Sequence, residues 1–104
     1  RLVSTHMKLA ILLTAGLETE DGRTVDKLAR AALEMGHEVD IFFMDDGVFH
    51  LRRLHPLMGQ GARFTVCAHN AYERGLDKVE GALFGGQNDW AEIVSQADRV
   101  VVFG

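Results

Sequence analysis

The chain has 104 residues, the size of one domain whose single hydrophobic core buries only about two-thirds of the unfolded surface. Its 15 acidic residues outnumber its 11 scattered lysines and arginines, and the resulting net charge of −4 argues against a nucleic-acid-binding surface. No apolar run approaches the roughly 18 residues that cross a bilayer, so we expect a cytoplasmic protein without a membrane partner.

The sequence divides into a short N-terminal segment and one domain. Residues Arg1–His6 show no periodicity and precede a methionine, so we interpret them as a tag or vector remnant. Residues 7–104 are predicted to form a single domain. Its one cysteine, Cys67, rules out an intrachain disulfide, a paired-thiol redox motif and a four-thiolate zinc site. Any chemistry of this thiol must therefore involve another molecule.

Strand and helix patterns alternate from the start of the domain. Lys8–Thr14 is a continuous apolar run, typical of a central parallel strand. Acidic residues then precede an amphipathic helix that Gly36 is expected to cap. Its apolar positions are Val25, Leu28, Ala29, Ala32 and Leu33. Val39–Met44 reads as a second strand, which completes a βαβ unit with parallel strands.

The middle of the chain continues the alternation. Val48–His55 is predicted to form about two helical turns that end before Pro56, because the residue before proline disfavours helical geometry. Gly59–Gly61 reads as a flexible loop. The strand Arg63–Val66 then leads directly into Cys67.

The last part of the chain gives the remaining elements. A short helix is predicted at Asn70–Arg74, and Val79–Phe84 is a short strand. Asn88 is expected to cap a final helix, and Arg99–Phe103 is a buried strand. The apolar face of that helix carries Trp90, Ile93, Val94 and Ala97.

This order of elements predicts an α/β protein, a three-layer α/β/α sandwich with a four- to five-stranded, mostly parallel sheet. The carboxyl ends of parallel strands share one edge, which is the usual place for a site. The residues expected at that edge are Gly16, Glu18, Asp45, Asp46, Cys67, His69, Gly85 and Gly86.

Cys67 has two interpretations. A free cysteine is often a small buried hydrophobe that only packs. Alternatively, a thiol at a strand-to-helix junction faces helix N–H groups, and His69 and Arg74 lie nearby in sequence to favour the thiolate form. A thiolate is a nucleophile and an acceptor of sulfur.

Several other chemistries fit poorly. A cysteine phosphatase loop places about five residues between Cys and Arg so that backbone N–H groups wrap the phosphate. Here Cys67 and Arg74 enclose six, with no glycine and with Glu73 opposing an anion. No dinucleotide fingerprint or phosphate-binding loop occurs, so we expect no cofactor.

The histidines and paired aspartates favour no metal or catalytic dyad. His50 and His55 are five residues apart and do not share a helix face, so these two and His69 are expected to be surface or loop residues rather than ligands. Asp45 and Asp46 read as turn residues, because adjacent side chains diverge.

Several segments together resemble the DsrE/DsrF-like family. The similarity covers nearly the whole chain from Met7, in the order expected. The segments are the first strand, Leu28–Met35 with Gly36–Val39, Phe42–Phe43, Asp46–Val48, Val66–Cys67 with Ala71, Arg74 and Gly75, and Ala97–Val100.

The resemblance implies an α/β/α domain in homo- or hetero-oligomers, commonly trimers or hexamers. It also implies intracellular sulfur trafficking, in which Cys67 matches a cysteine that accepts persulfide sulfur from a protein donor and passes it to an acceptor. His69 and Arg74 are expected to assist Cys67, because both lie near it in sequence and can favour its thiolate form.

Two functions follow as expectations. The first is a sulfur-relay protein acting through Cys67, and the alternative is a non-catalytic oligomeric subunit or small-ligand binding module of the same fold with a structural cysteine. We expect a homo-oligomer, with apolar positions around Val48, Leu51, Leu57 and Met58 as candidates for the interface.

Overall fold

The computed structural model describes residues 6–104. Residues 1–5, most of the predicted tag or vector remnant, lie outside the described residues. The elements are β1 (Lys8–Leu13), α1 (Asp21–Glu34), β2 (Glu38–Phe43), α2 (Leu51–Leu54), β3 (Arg63–Cys67), α3 (Ala68–Glu73), β4 (Leu83–Gly85), α4 (Gln87–Gln96) and β5 (Arg99–Phe103). Across the described residues, no helix has both the length and the apolar character to span a membrane.

The strands form one sheet in the order β4-β3-β2-β1-β5, and every pairing is parallel. Leu13 at the end of β1 lies opposite Phe43 of β2, and Phe43 lies opposite Val66 of β3. The strands therefore end nearly level with one another. The predicted α/β fold with a parallel sheet is confirmed.

The strand order places the helices on two faces. From β1 to β4 each connection advances by one strand in the same direction, so right-handed crossovers place α1, the helical segment at 45–60 and α3 on one face. The connection from β4 returns across the sheet to β5, which places α4 on the opposite face. This arrangement is the predicted three-layer α/β/α sandwich.

The two faces are covered unequally. The face under α1 holds the main core, where the Phe43 and Phe64 rings pack with centroids 4.9 Å apart. On the other face Phe42 packs against Trp90 with centroids 5.6 Å apart, yet α4 contains no fully buried residue. Apolar side chains therefore stay exposed on and beside α4, namely Leu83, Val94, Val100 and Val102.

The segment between β2 and β3 differs from its prediction. Asp45–His50 and His55–Gln60 are 3-10 helices on either side of α2. Helix α2 ends at Leu54, before Pro56 as predicted, but the chain continues as a 3-10 helix, because the proline sits at its start, where no N–H is needed. Gly61 ends the run at φ 111°, a left-handed conformation that suits glycine.

Three boundaries also shift. Helix α3 begins at Ala68, before the predicted Asn70. Gly86, not Asn88, precedes the first residue of α4, and its N–H donates to Asp89 Oδ2 at 2.8 Å. Strand β4 keeps only the last part of the predicted segment and extends to Gly85.

The suggested interface residues are placed differently from the expectation. Val48, Leu51 and Leu57 are core residues, and Met58 is half-buried against the core. The expectation that they form an exposed interface was wrong for the first three. The mixed 3-10 and α geometry of 45–60 turns these side chains inward, which a weak helical periodicity did not reveal.

His6, assigned from sequence to the tag, contacts the domain. Its Nδ1 lies 2.9 Å from the Gly36 carbonyl oxygen, and its Nε2 lies 2.8 Å from a Glu38 carboxylate oxygen. The hydrogen bond with Glu38 raises the pKa of His6 and lowers the pKa of Glu38. The tag assignment itself stays a prediction.

His50 is fully buried, so its expected surface or loop location was wrong. Its Nε2 lies 3.0 Å from the Ala15 carbonyl oxygen and 3.1 Å from that of Gly16. Carbonyl oxygens only accept, so Nε2 carries the proton. Nδ1 has no partner within residues 6–104, and the ring lies where a side chain at Gly22 would project.

Because of this contact, Gly22→Ala is expected to destabilise the protein. Alanine normally favours a helix interior by up to about 1 kcal/mol over glycine. Here the added methyl group meets the buried His50 ring, and overpacking of this kind costs about 1–3 kcal/mol. Equilibrium urea unfolding measures the change.

Gly59→Ala is the matched control. A side chain at Gly59 has open space around it, and the residue is also in a helical segment. Its free energy of unfolding is expected to stay within about 0.5 kcal/mol of the parent. Equal stability of the two variants would contradict the packing of His50 against Gly22.

Candidate functional site

Cys67 lies where β3 meets α3. It is the last residue of β3, opposite Gly85 of β4, and it is also the residue immediately before α3. The thiol is free and half-buried. Its Sγ accepts the backbone N–H of Asn70 at 3.5 Å. The junction predicted from the sequence is therefore present, with the sulfur acting as the helix cap.

The local backbone explains this role. Cys67 has φ −64° and ψ 110°, the extended geometry usual for a capping residue, and its side chain replaces the oxygen of the serine or aspartate more often found there. Sulfur is a weaker acceptor than oxygen. The thiol is thus held towards the start of α3 by one modest hydrogen bond and remains partly open to solvent.

Asn70 links this helix to the end of β2. Its side-chain Oδ1 accepts the backbone N–H of Asp45 at 2.8 Å. Asp45 has φ 52°, a left-handed conformation that residues other than glycine adopt rarely, with aspartate among the more tolerant. The amide of Asn70 therefore stabilises an uncommon turn beside the site.

Arg74 strengthens the same link. Its Nε donates to Asp46 Oδ1 at 2.9 Å, and its Nη1 donates to the Asn70 carbonyl oxygen at 3.2 Å and lies 3.6 Å from a Glu73 oxygen. The side chain is only 24% exposed. Its positive charge is therefore offset by two carboxylates, and it joins α3 to the turn after β2.

His69 is placed differently. It lies in the first turn of α3 with 76% of its side chain exposed, and its Nε2 is 3.2 Å from Glu73 Oε2. Cys67 and Arg74 are connected by hydrogen bonds through Asn70, whereas His69 reaches Arg74 only through Glu73, whose other oxygen lies 3.6 Å from Arg74 Nη1. The three residues predicted for the site share one short segment, but they do not form one hydrogen-bonded set.

Sequence reasoning did not identify Asn70 or Asp46 as parts of this network. The side chain of a capping residue usually accepts the backbone N–H three positions later, and this spacing was the available signal for Asn70. For Asp46 the turn role was expected, but its pairing with Arg74 depends on strand order. Glu18 and Asp46 both lie beside Gly16, where an added side chain would meet them, so two acidic residues gather near the end of β1.

The site therefore offers a partly exposed thiol with one backbone donor, linked through Asn70 to the turn that carries Asp45 and Asp46. Among residues 6–104, no three His, Cys, Asp or Glu side chains are grouped so as to hold a metal ion. The chemistry that this arrangement supports is nucleophilic attack by sulfur on a group brought by another molecule.

Asn70→Ala is expected to release the turn at Asp45. The backbone N–H of Asp45 loses its acceptor, so its hydrogen-exchange protection should fall roughly fivefold, corresponding to about 1 kcal/mol for one hydrogen bond. NMR-detected exchange at Asp45 measures this.

Asn88→Ala is the control, because Asn88 is exposed on α4 and makes no side-chain hydrogen bond to the described part of the chain. Unchanged protection of Asp45 in Asn70→Ala would rule out the link.

Comparison with known proteins identifies the family of the chain. The model of the DsrE/DsrF-like family matches residues 7–103, and the chain belongs to this family. The chain is 31% identical to the uncharacterized protein MK0008 of Methanopyrus kandleri, over 81% of this chain and 83% of that protein. It is 30% identical to the uncharacterized protein MJ0989 of Methanocaldococcus jannaschii, over 93% of this chain and 100% of that protein.

Two solved structures share the fold. The ychN protein from E. coli superposes with a TM-score of 0.65 at 15% identity, covering 95% of this chain and 100% of that chain. A conserved protein of unknown function from Bacteroides thetaiotaomicron, BT1422, gives 0.70 at 12% identity, covering 92% and 94%. At these identities the likeness concerns the fold alone.

Proposed function

We propose that this member of the DsrE/DsrF-like family is a small cytoplasmic sulfur-relay protein that carries persulfide sulfur on Cys67. The observation that carries the proposal is the position of a free, half-buried thiol at the carboxyl edge of a parallel sheet. Family membership supports a role of the sulfur-relay type. The donor and the acceptor are proposed to be other proteins, and no metal or organic cofactor is needed.

The transfer conserves atoms and charge. The Cys67 thiolate attacks the outer sulfur of a donor persulfide, R–S–SH, and the bond between the two donor sulfurs breaks. The donor leaves as the thiolate R–S⁻, and Cys67 now holds –S–SH. An acceptor thiolate then attacks the outer sulfur, which forms the acceptor persulfide and restores the Cys67 thiolate.

The surrounding residues have separate proposed roles. The Asn70 N–H, which donates to Sγ, stabilises negative charge on the sulfur. His69 is exposed beside the site and acts as the proton carrier, since imidazole exchanges protons near neutral pH. Arg74, whose charge is paired with Asp46, assists by holding α3 against the turn after β2.

Incubation with a persulfide donor is expected to add one sulfur atom to Cys67, because a partly exposed thiolate is a competent sulfur acceptor. Intact-mass and peptide mass spectrometry under non-reducing conditions detects the modification. Cys67→Ala removes the only thiol and should show no added sulfur.

The alternative, a structural cysteine in a non-catalytic subunit, predicts the opposite. Cys67 would react with an alkylating reagent only after denaturation, and Cys67→Ser would lower stability while no sulfur transfer is found in the parent. Thiol titration of native and denatured protein separates the two functions. A native thiol that stays unmodified and slow to alkylate would refute the relay.

We also propose that the protein is a homo-oligomer, a trimer or hexamer, that uses the apolar face beside α4. Val102 is 59% exposed and Val100 is 43% exposed on β5, which lies at an end of the sheet. Leu83 is 54% exposed on β4 at the other end. Exposed apolar patches of this kind are typical of interaction surfaces.

Val102→Glu is expected to reduce the molar mass measured by size-exclusion chromatography with light scattering, because a charge is costly to bury in an apolar interface. Tyr72→Glu is the control, since Tyr72 is 84% exposed on α3, on the opposite face. A parent protein with the mass of one chain would refute the oligomer without affecting the test of Cys67.

A further inference from the structure

A cavity between α1 and α2 is lined mainly by arginines. Its volume is about 330 Å³, and its wall is formed by Gly22, Arg23, Asp26, Arg30 and Arg53. Three guanidinium groups face one carboxylate, which gives this wall a formal charge of +2 in a chain whose net charge is −4. The cavity is therefore a local reversal of the charge of the whole molecule.

Two of the three guanidinium groups keep donors available. Arg30 already has a partner, because its Nη2 donates to Asp26 Oδ1 at 2.9 Å. Arg23 lies 3.6 Å from Glu20, in a pair whose side chains are both largely exposed, and such pairs hold their partners weakly. Arg53 makes no hydrogen bond or ion pair with any of residues 6–104.

The positions of these residues on the two helices bring the charged groups together. Arg23, Asp26 and Arg30 are spaced so that they share one face of α1, and Arg53 approaches from α2. Gly22 lines the cavity with its backbone, and a side chain there would project onto the buried His50 ring. The first turn of α1 also favours negative charge through the helix dipole.

We propose that this cavity binds a doubly charged oxyanion, namely a phosphate group. The planar guanidinium fork matches such oxygens with two parallel hydrogen bonds, and arginine is the residue most suited to this recognition. At about 330 Å³ the cavity also has room for a group attached to the phosphate. The proposal is independent of Cys67.

Titration with inorganic phosphate, against chloride at equal ionic strength, tests the site. The amide signals of Gly22 and Arg23 are expected to shift and saturate in NMR spectra of isotope-labelled protein. Arg53→Ala is expected to weaken binding at least tenfold. Arg52→Ala is the matched control, because Arg52 is also exposed on α2 but lines a different cavity, and the phosphate affinity of this variant should stay within about twofold of the parent.

A second titration separates the two sources of the same chemistry. Tighter binding of a small phosphomonoester, glycerol phosphate, than of inorganic phosphate assigns the site to a phosphorylated molecule, and equal binding assigns it to the free oxyanion. Both results support the site. Shifts that do not saturate, or an equal loss in Arg53→Ala and Arg52→Ala, would show only general charge screening and overturn the proposal.

Discussion

The level ending of β1, β2 and β3 is the constraint on which the candidate site depends. Leu13, Phe43 and Val66 lie side by side in the register, so the next residues of each strand emerge at one edge. Asp45 and Cys67 are brought close enough by this register for Asn70 to bridge them. A shift of β3 by one residue would exchange its two faces and break the contact of Asn70 with Asp45, whereas the capping contact of Cys67 with Asn70 is local.

The parts of the fold that rest on local patterns were predictable. Continuous apolar runs identified the central strands, and the spacing of Val25, Ala29 and Ala32 identified α1. The segment at 45–60 was not predictable in detail, because 3-10 and α turns alternate there and no single period fits. His50 was misjudged for a similar reason: its burial depends on carbonyl groups of the β1–α1 loop, distant in sequence.

For the site, sequence established the position of Cys67 but not its electrostatic surroundings. Arg74 is near in sequence, which suggested a cation serving the thiol. In the fold its guanidinium is directed to Asp46, which follows a different strand. The nearest defined donor to the sulfur is instead a backbone N–H. Positive charge is therefore not concentrated on the thiol. In a sulfur relay, the activation of Cys67 would depend on the backbone N–H of Asn70 and on groups supplied by the protein that delivers the sulfur.

The proposed sulfur transfer at Cys67 and the proposed self-association affect each other, because the pleat of β3 places the thiol on the face of the sheet that a second copy would cover. Side chains alternate along a strand, so Cys67 lies on the same side as Thr65 and not with the core residue Val66. Thr65 pairs with Leu83, the exposed apolar residue of β4 on the α4 face. A second copy seated over Leu83 would therefore border the thiol and close the approach across that face. A sulfur donor would then reach Cys67 along the strand direction, from the carboxyl edge, where the turn after β2 carries Asp46.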